Sequence, residues 1–156
     1  MNFEGTISIR APAADVWHCL LDASCLADCT PGVSELTRVD DRTFRGTMSA
    51  TVGPLSGKFH FESTVVESHP PNQLAVKLCG TDSVTSSTVT ADTHIELASL
   101  GPRSTDMAYR SSVQITGRLA ILGEMVLRTT AILVLEEFSR RLRHKLEATT
   151  AEAADV

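Results

Sequence analysis

Near the start of the chain apolar and polar residues alternate, with Phe3, Gly5, Ile7 and Ile9 on one side and Glu4, Thr6, Ser8 and Arg10 on the other. Period two predicts a half-buried strand. Pro12 then opens a helix in which Ala13, Val16, Trp17, Leu20 and Leu21 share a face while Asp15, His18 and Asp22 turn to water. A second short helical turn is predicted over 24–28, ended by Pro31-Gly32.

From Val33 to Gly117 the alternation is nearly unbroken and is punctuated by turn residues. Phe44, Gly46, Met48, Ala50 and Val52 fall on one face of a strand. Past Gly53-Pro54 the inward set resumes with Leu55, Gly57, Phe59, Phe61 and Val65, until Pro70-Pro71-Asn72 turns the chain. Leu74, Val76 and Leu78 follow, then Val89, Ala91, Thr93, Ile95 and Leu97. After Gly101-Pro102 come Met107, Tyr109, Ser111, Val113 and Ile115. Short connections between alternating strands predict an antiparallel meander.

After Gly117 the period changes to that of a helix. Leu127, Ala131, Val134 or Leu135, Phe138, Leu142 and Leu146 recur at helical spacing, which predicts one long helix over 119–146. Arg140, Arg141, Arg143 and Lys145 place cations where the helix dipole is negative. Residues 148–156 are expected to form a small, acidic, frayed tail. One domain over 1–147 is expected, of class α+β: a curved seven-stranded antiparallel sheet around the C-terminal helix, with two short helices after the first strand.

Composition narrows the partners. A chain of 156 residues can bury roughly 70% of its unfolded surface without staples. The net charge of −5 argues against the clustered cations that phosphate backbones require, so nucleic acid is not expected as a partner. No apolar run has the length of a membrane span, and the N-terminus lacks signal-peptide character. A cytoplasmic protein is expected, with Cys19, Cys25, Cys29 and Cys79 reduced and unbridged.

Loop motifs identify a resemblance. Asp28-Cys29-Thr30-Pro31-Gly32 before Leu36, then Val52-Gly53-Pro54-Leu55-Ser56-Gly57, then the Pro70-Pro71 turn, then Gly117-Arg118-Leu119-Ala120-Ile121-Leu122-Gly123 occur in this order. Together they resemble the family of the carbon monoxide dehydrogenase G subunit, within the START-like superfamily of polyketide cyclases and Bet v 1-type carriers, from Met1 to about Leu146. The hairpin Gly80-Thr81-Asp82-Ser83-Val84-Thr85-Ser86-Ser87-Thr88 departs from the Gly- and Ala-rich hairpin common in that family. The longer tail that could anchor some relatives to a membrane is not expected here.

The resemblance implies a helix-grip fold and a non-catalytic accessory protein. Its internal cavity would hold an apolar or amphipathic molecule, a lipid or a quinone. The implied partner is a molybdenum hydroxylase of the carbon monoxide dehydrogenase type, aided in assembly, membrane recruitment or access to its electron acceptor. A location at the inner face of the plasma membrane, through peripheral contact, would follow. No cofactor other than such a bound quinone or lipid is implied.

The residues themselves leave room for such a cavity. Gly5, Gly46, Ala50, Gly57, Ala91 and Ser111 lie in inward phase, and only 4% of the chain is aromatic. Trp17, Leu20, Phe59, Phe61, Val89, Val113, Leu122, Met125 and Val126 are the apolar candidates to line it. Thr93, Tyr109, Ser111 and Thr129 are the polar candidates, and Pro31, Gly32, Gly53 and Pro54 form the expected rim. The alternative is that Leu122, Met125 and Val126 fill the space.

Other chemistry is weakly supplied. Cys25 and Cys29 are one helical turn apart with His18 nearby, yet no C-x-x-C pair exists, so structural thiols and no metal are expected. His60 and His94 fall in outward phase with charged neighbours. Gly53-Pro54-Leu55-Ser56-Gly57-Lys58 is one residue short of a phosphate loop and precedes a strand. A cyclase- or dehydratase-like enzyme remains as an alternative, although only Tyr109 lies in the right phase to move protons. A third reading is a dimerising adaptor, because residues 131–135 are apolar on every side of the helix and one side must find cover.

Overall fold

The computed structural model describes residues 1–154. The chain runs β1 (Asn2–Ile9), α1 (Ala13–Leu20), α2 (Ala23–Cys29), β2 (Val33–Arg38), β3 (Thr43–Val52), β4 (Leu55–His69), β5 (Gln73–Asp82), β6 (Ser87–Gly101) and β7 (Ser104–Thr116). A 3₁₀ turn at Arg118–Leu122 leads into α3 (Glu124–Ala154). The seven strands pair in the order β1-β7-β6-β5-β4-β3-β2, every pair antiparallel. The α+β class and strand count expected from the alternation are those found.

Consecutive strands β1 and β2 lie at opposite edges of the sheet. The α1–α2 pair must therefore carry the chain from one edge to the other. Pro12 caps α1, whose Val16, Trp17, Cys19 and Leu20 are buried. Asp22 caps α2, its carboxylate accepting the Cys25 amide at 2.9 Å. These helices bury their apolar face in the main core, where Ile7, Ile9, Leu97 and Met107 of the sheet meet Leu142 and Leu146 of α3.

A second, smaller cluster lies at the other end of α3, where Val52, Phe59, Leu119 and Leu127 pack together. All four residues of this smaller cluster also line the opening between sheet and helix that forms the candidate site.

Three expectations are corrected. The long helix begins at Glu124 and not at Leu119, because Gly117 (φ 90°) and Gly123 (φ 89°) take backbone conformations that break a continuous helix and leave only a 3₁₀ turn between them. The helix also continues past residue 147 through Ala154, in place of the expected frayed tail. Residues 147–154 contain no Gly or Pro and are rich in helix-favouring Ala and Glu, and Thr149 donates its hydroxyl to the Lys145 carbonyl. Residues 155 and 156 lie outside the described residues.

The third correction concerns thiols. Cys19 and Cys25 form a disulfide, with Cα atoms 5.3 Å apart. The sharp turn between α1 and α2 brings them to bridging separation. Compartment bears on redox conditions and says nothing of this proximity.

Candidate functional site: an apolar cavity between sheet and helix

A cavity of about 370 Å³ opens between the concave face of the sheet and the N-terminal half of α3. Phe44, Met48, Ala50 and Val52 of β3 and Phe59, Phe61 and Ser63 of β4 form one wall. Leu78 and Gly80 of β5, Val89 of β6, and Val113 and Ile115 of β7 continue it. Leu119, Leu127, Thr130 and Ala131 close it from the helical side, and Leu26 of α2, Thr30 just after it, and Val33 and Leu36 of β2 complete it. Among the described residues no titratable side chain lies on this wall. The polar side chains on it are Thr30, Ser63 and Thr130.

Strand alternation explains the wall. Residues two apart on each strand point to one face, so the inward phase read from sequence carries Phe59, Phe61, Val89 and Val113 to the cavity. Thr93 and Ser111 are also inward, but their hydroxyls hydrogen-bond each other at 2.8 Å and are not on the wall. Tyr109 packs against the main core, as do Trp17 and Leu20. That core lies at the end of the sheet away from the cavity.

Helical candidates are placed differently from expectation. Met125 is 83% exposed and Val126 37% exposed, and the exposed Thr129 donates to the Met125 carbonyl. Met125 and Thr129 stand on the outer side of α3, whereas Val126 turns toward the Gly53 turn. Leu122 is partly buried beside the smaller core without reaching the wall. Docking against the sheet sets the rotation of α3, so that Leu127, Thr130 and Ala131 face inward. Helical spacing alone left the orientation of this segment open. Met1, Leu26, Thr30, Leu36, Ile115 and Leu119 were missed because the sequence does not say which helix end or edge strand reaches the concavity.

The residues expected at the rim occupy turns and are not on the cavity wall. Pro31 and Gly32 join α2 to β2, and Gly32 (φ 83°) lies so close to β3 that a Cβ would stand 2.3 Å from the Ser49 carbonyl oxygen. Gly53 (φ 57°) and Pro54 form the β3–β4 turn. A Cβ on Gly53 would lie 3.7 Å from Val126 and 4.0 Å from Leu122, so this turn meets the start of α3. Ile121, 83% exposed, and Met125 make the adjoining corner apolar.

Small inward residues act in a way that counting them does not reveal. A Cβ on Gly5 would stand 2.7 Å from the Tyr109 hydroxyl, and one on Gly57 would stand 3.0 Å from the Phe59 ring. These two glycines make room for the rings of Tyr109 in the main core and Phe59 on the cavity wall.

The hairpin over 80–88 holds a buried polar knot. Asp82 accepts from the amides of Val84 and Thr85 and from the Thr85 hydroxyl at 2.7 Å. The Thr85 hydroxyl also contacts the Ser87 hydroxyl at 2.9 Å. Ser87 in turn accepts the Leu119 amide at 3.1 Å. This chain of bonds ties the hairpin to the 3₁₀ turn that carries Leu119 to the cavity. The Thr85 hydroxyl holds the Asp82 carboxyl below its ordinary value, against the opposing effect of burial.

A curved antiparallel sheet gripping a long C-terminal helix is the START-like, helix-grip fold. Among solved structures the chain is similar to a START superfamily protein from Mycobacterium smegmatis (TM-score 0.70, 17% identity, 95% of this chain and 98% of that one). An aromatase/cyclase from Streptomyces sp. R1128 is also similar (TM-score 0.69, 14% identity, 94% and 93%). A conserved protein from Geobacillus kaustophilus matches with a TM-score of 0.87 at 21% identity over 96% of this chain and 97% of that one. The CoxG family, described as the G subunit of carbon monoxide dehydrogenase, matches residues 5–147, and the chain belongs to it. No curated protein matches the sequence. Among the described residues no helix is long and apolar enough to cross a membrane.

Proposed function

We propose that the protein is a non-catalytic carrier that holds an apolar or amphipathic molecule, a lipid or a quinone, between its sheet and α3. The observation that carries this reading is the wall chemistry. A cavity of about 370 Å³ is within the size range of small-molecule sites, and its lining is apolar apart from a few hydroxyls. Such a wall favours a ligand that gains by leaving water and is oriented by one or two polar atoms.

The same wall supports binding over catalysis. General acid–base work needs a positioned proton donor or acceptor, and none of the lining side chains titrates. Membership of the CoxG family extends the proposal to a partner: a molybdenum hydroxylase of the carbon monoxide dehydrogenase type, assisted in assembly, membrane recruitment or access to an electron acceptor. The apolar corner at Ile121 and Met125, beside the Gly53-Pro54 turn, would meet the membrane surface or the enzyme during transfer.

Native mass spectrometry of gently purified protein tests the reading, together with melting curves in the presence of a quinone and of a phospholipid. A co-purifying apolar mass, or a melting temperature raised by either compound, supports it. Apo mass alone with no shift from both would overturn it.

A further inference from the structure

Three sulfurs meet where α1 packs on α2. Cys19 lies at the end of α1, Cys25 in the first half of α2 and Cys29 at its end. Their Sγ atoms all lie within 4.8 Å of one another, and the residues are 4%, 7% and 0% exposed. Neither sequence interval is that of a C-x-x-C pair. The interhelical turn sets Cys19 beside Cys25, and one helical turn sets Cys29 on the same face as Cys25.

We propose that, once the Cys19–Cys25 bridge is reduced, Cys19, Cys25 and Cys29 form a three-thiolate site for a soft cation, best matched by Cu(I). Thiolate donors select soft ions. A metal–thiolate bond of about 2.3 Å places three sulfurs in a trigonal plane about 4 Å apart, within the 4.8 Å that spans the cluster, once reduction lets the Cys19 and Cys25 sulfurs separate. Zinc sites of the closed kind take four ligands, and among the described residues no carboxylate or imidazole joins the three sulfurs. A three-coordinate ion fits the donors available.

On α3, which packs against α2, Lys145 pairs with the Asp28 carboxylate beside Cys29, and Arg141 pairs with Glu137. In the first step a dithiol reductant gives two electrons and two protons to the Cys19–Cys25 bridge and becomes a disulfide. One Cu(I) then replaces the three thiol protons, leaving a complex of net charge 2−.

The site is separate from the apolar cavity, so its test does not depend on the carrier reading. Dithiol-reduced protein is loaded with Cu(I) and challenged with a chromophoric Cu(I) chelator, and the copper is then examined by X-ray absorption. One ion retained per chain, with three sulfur neighbours at about 2.3 Å, is expected. Cys79→Ser should leave retention unchanged, since Cys79 is exposed and apart from the cluster. Cys29→Ala should weaken retention by more than the about 10- to 100-fold typical of outer-shell changes. Oxidised protein, with two donors consumed by the bridge, should retain none. Complete loss to the chelator from reduced wild-type protein, a count of two sulfurs or fewer, or retention unaffected by Cys29→Ala would overturn the proposal. The sulfur count is read on wild-type protein and stands even if Cys29→Ala fails to fold.

Discussion

The ring of Phe61 on β4 lies across Gly46, its register partner on β3, so that a Cβ on Gly46 would stand 2.9 Å from Phe61 Cζ. The Glu35 carbonyl oxygen of β2 crowds the same position at 2.3 Å. Gly46→Ala must therefore displace a backbone strand, a ring, or both. A loss of about 1–3 kcal/mol is expected, as for other overpacked sites, and chemical denaturation would measure it. An unchanged midpoint would mean that the ring is not seated there.

Filling the cavity should separate binding from folding. Ala50 lies on the wall, so the ring of Ala50→Phe would enter open space and not packed core. The variant is expected to keep the melting temperature of the apo protein and to lose any shift produced by a quinone or lipid. A retained ligand shift would move the binding site elsewhere.

Rotation of α3 makes a paired expectation. Leu142 is fully buried in the main core, whereas Leu133 is 60% exposed. Leu142→Ala should destabilise by about 2–5 kcal/mol. Leu133→Ala should stay within about 0.5 kcal/mol of wild type. Equilibrium unfolding of the two variants distinguishes this rotation from one with Leu133 inward.

Ser87 is the last link between the 80–88 hairpin and the 3₁₀ turn. Removing its hydroxyl in Ser87→Ala leaves the buried Leu119 amide without its acceptor. A cost of about 1–3 kcal/mol is expected. Faster hydrogen exchange at the Leu119 amide would show that the loss is local to the cavity's end.

Two carboxylates set an acid limit on stability. Hydrogen bonds from Arg140 and then Arg141 hold Glu137 down at about 2 from its ordinary 4.5, and the Thr85 hydroxyl holds Asp82 below 3.8. Because these folded values are depressed, the unfolded chain binds more protons between the two limits, and stability rises with pH there. The Glu137 contribution should be complete above about pH 4.5 and be lost as pH falls through about 2, and that of Asp82 should be complete above 3.8 and be lost at lower pH. Denaturation midpoints followed down the acid range should fall less steeply in Glu137→Gln and in Asp82→Asn.

The alternation of Phe44 through Val52, of Leu55 through Phe61 and of Val89 through Leu97 was enough to specify strands and their inward faces. A side chain's face on a strand is fixed by parity, a local property that survives folding. Loop motifs with Gly and Pro at Pro31-Gly32, Gly53-Pro54 and Gly117 located the turns for the same reason, since φ is a local angle. These local signals were sufficient for the helix-grip class and for Phe59, Phe61, Val89 and Val113 on the cavity wall.

Parity does not say how far along an inward face a residue lies, and so Tyr109, Thr93 and Ser111 were expected at a cavity they do not line. Nor does helical spacing determine rotation: an apolar run over 131–135 is compatible with several inward faces, and only docking against the sheet turns Ala131 in and leaves Leu133 out. The sequence by itself determined the strands, the turns and the long helix, because each depends on neighbours within a few residues. Tertiary structure alone decided which rings rest on which glycines, that the cavity opens beside the smaller core, and that Cys19, Cys25 and Cys29 meet, because those distances are set by elements brought together from separate parts of the chain.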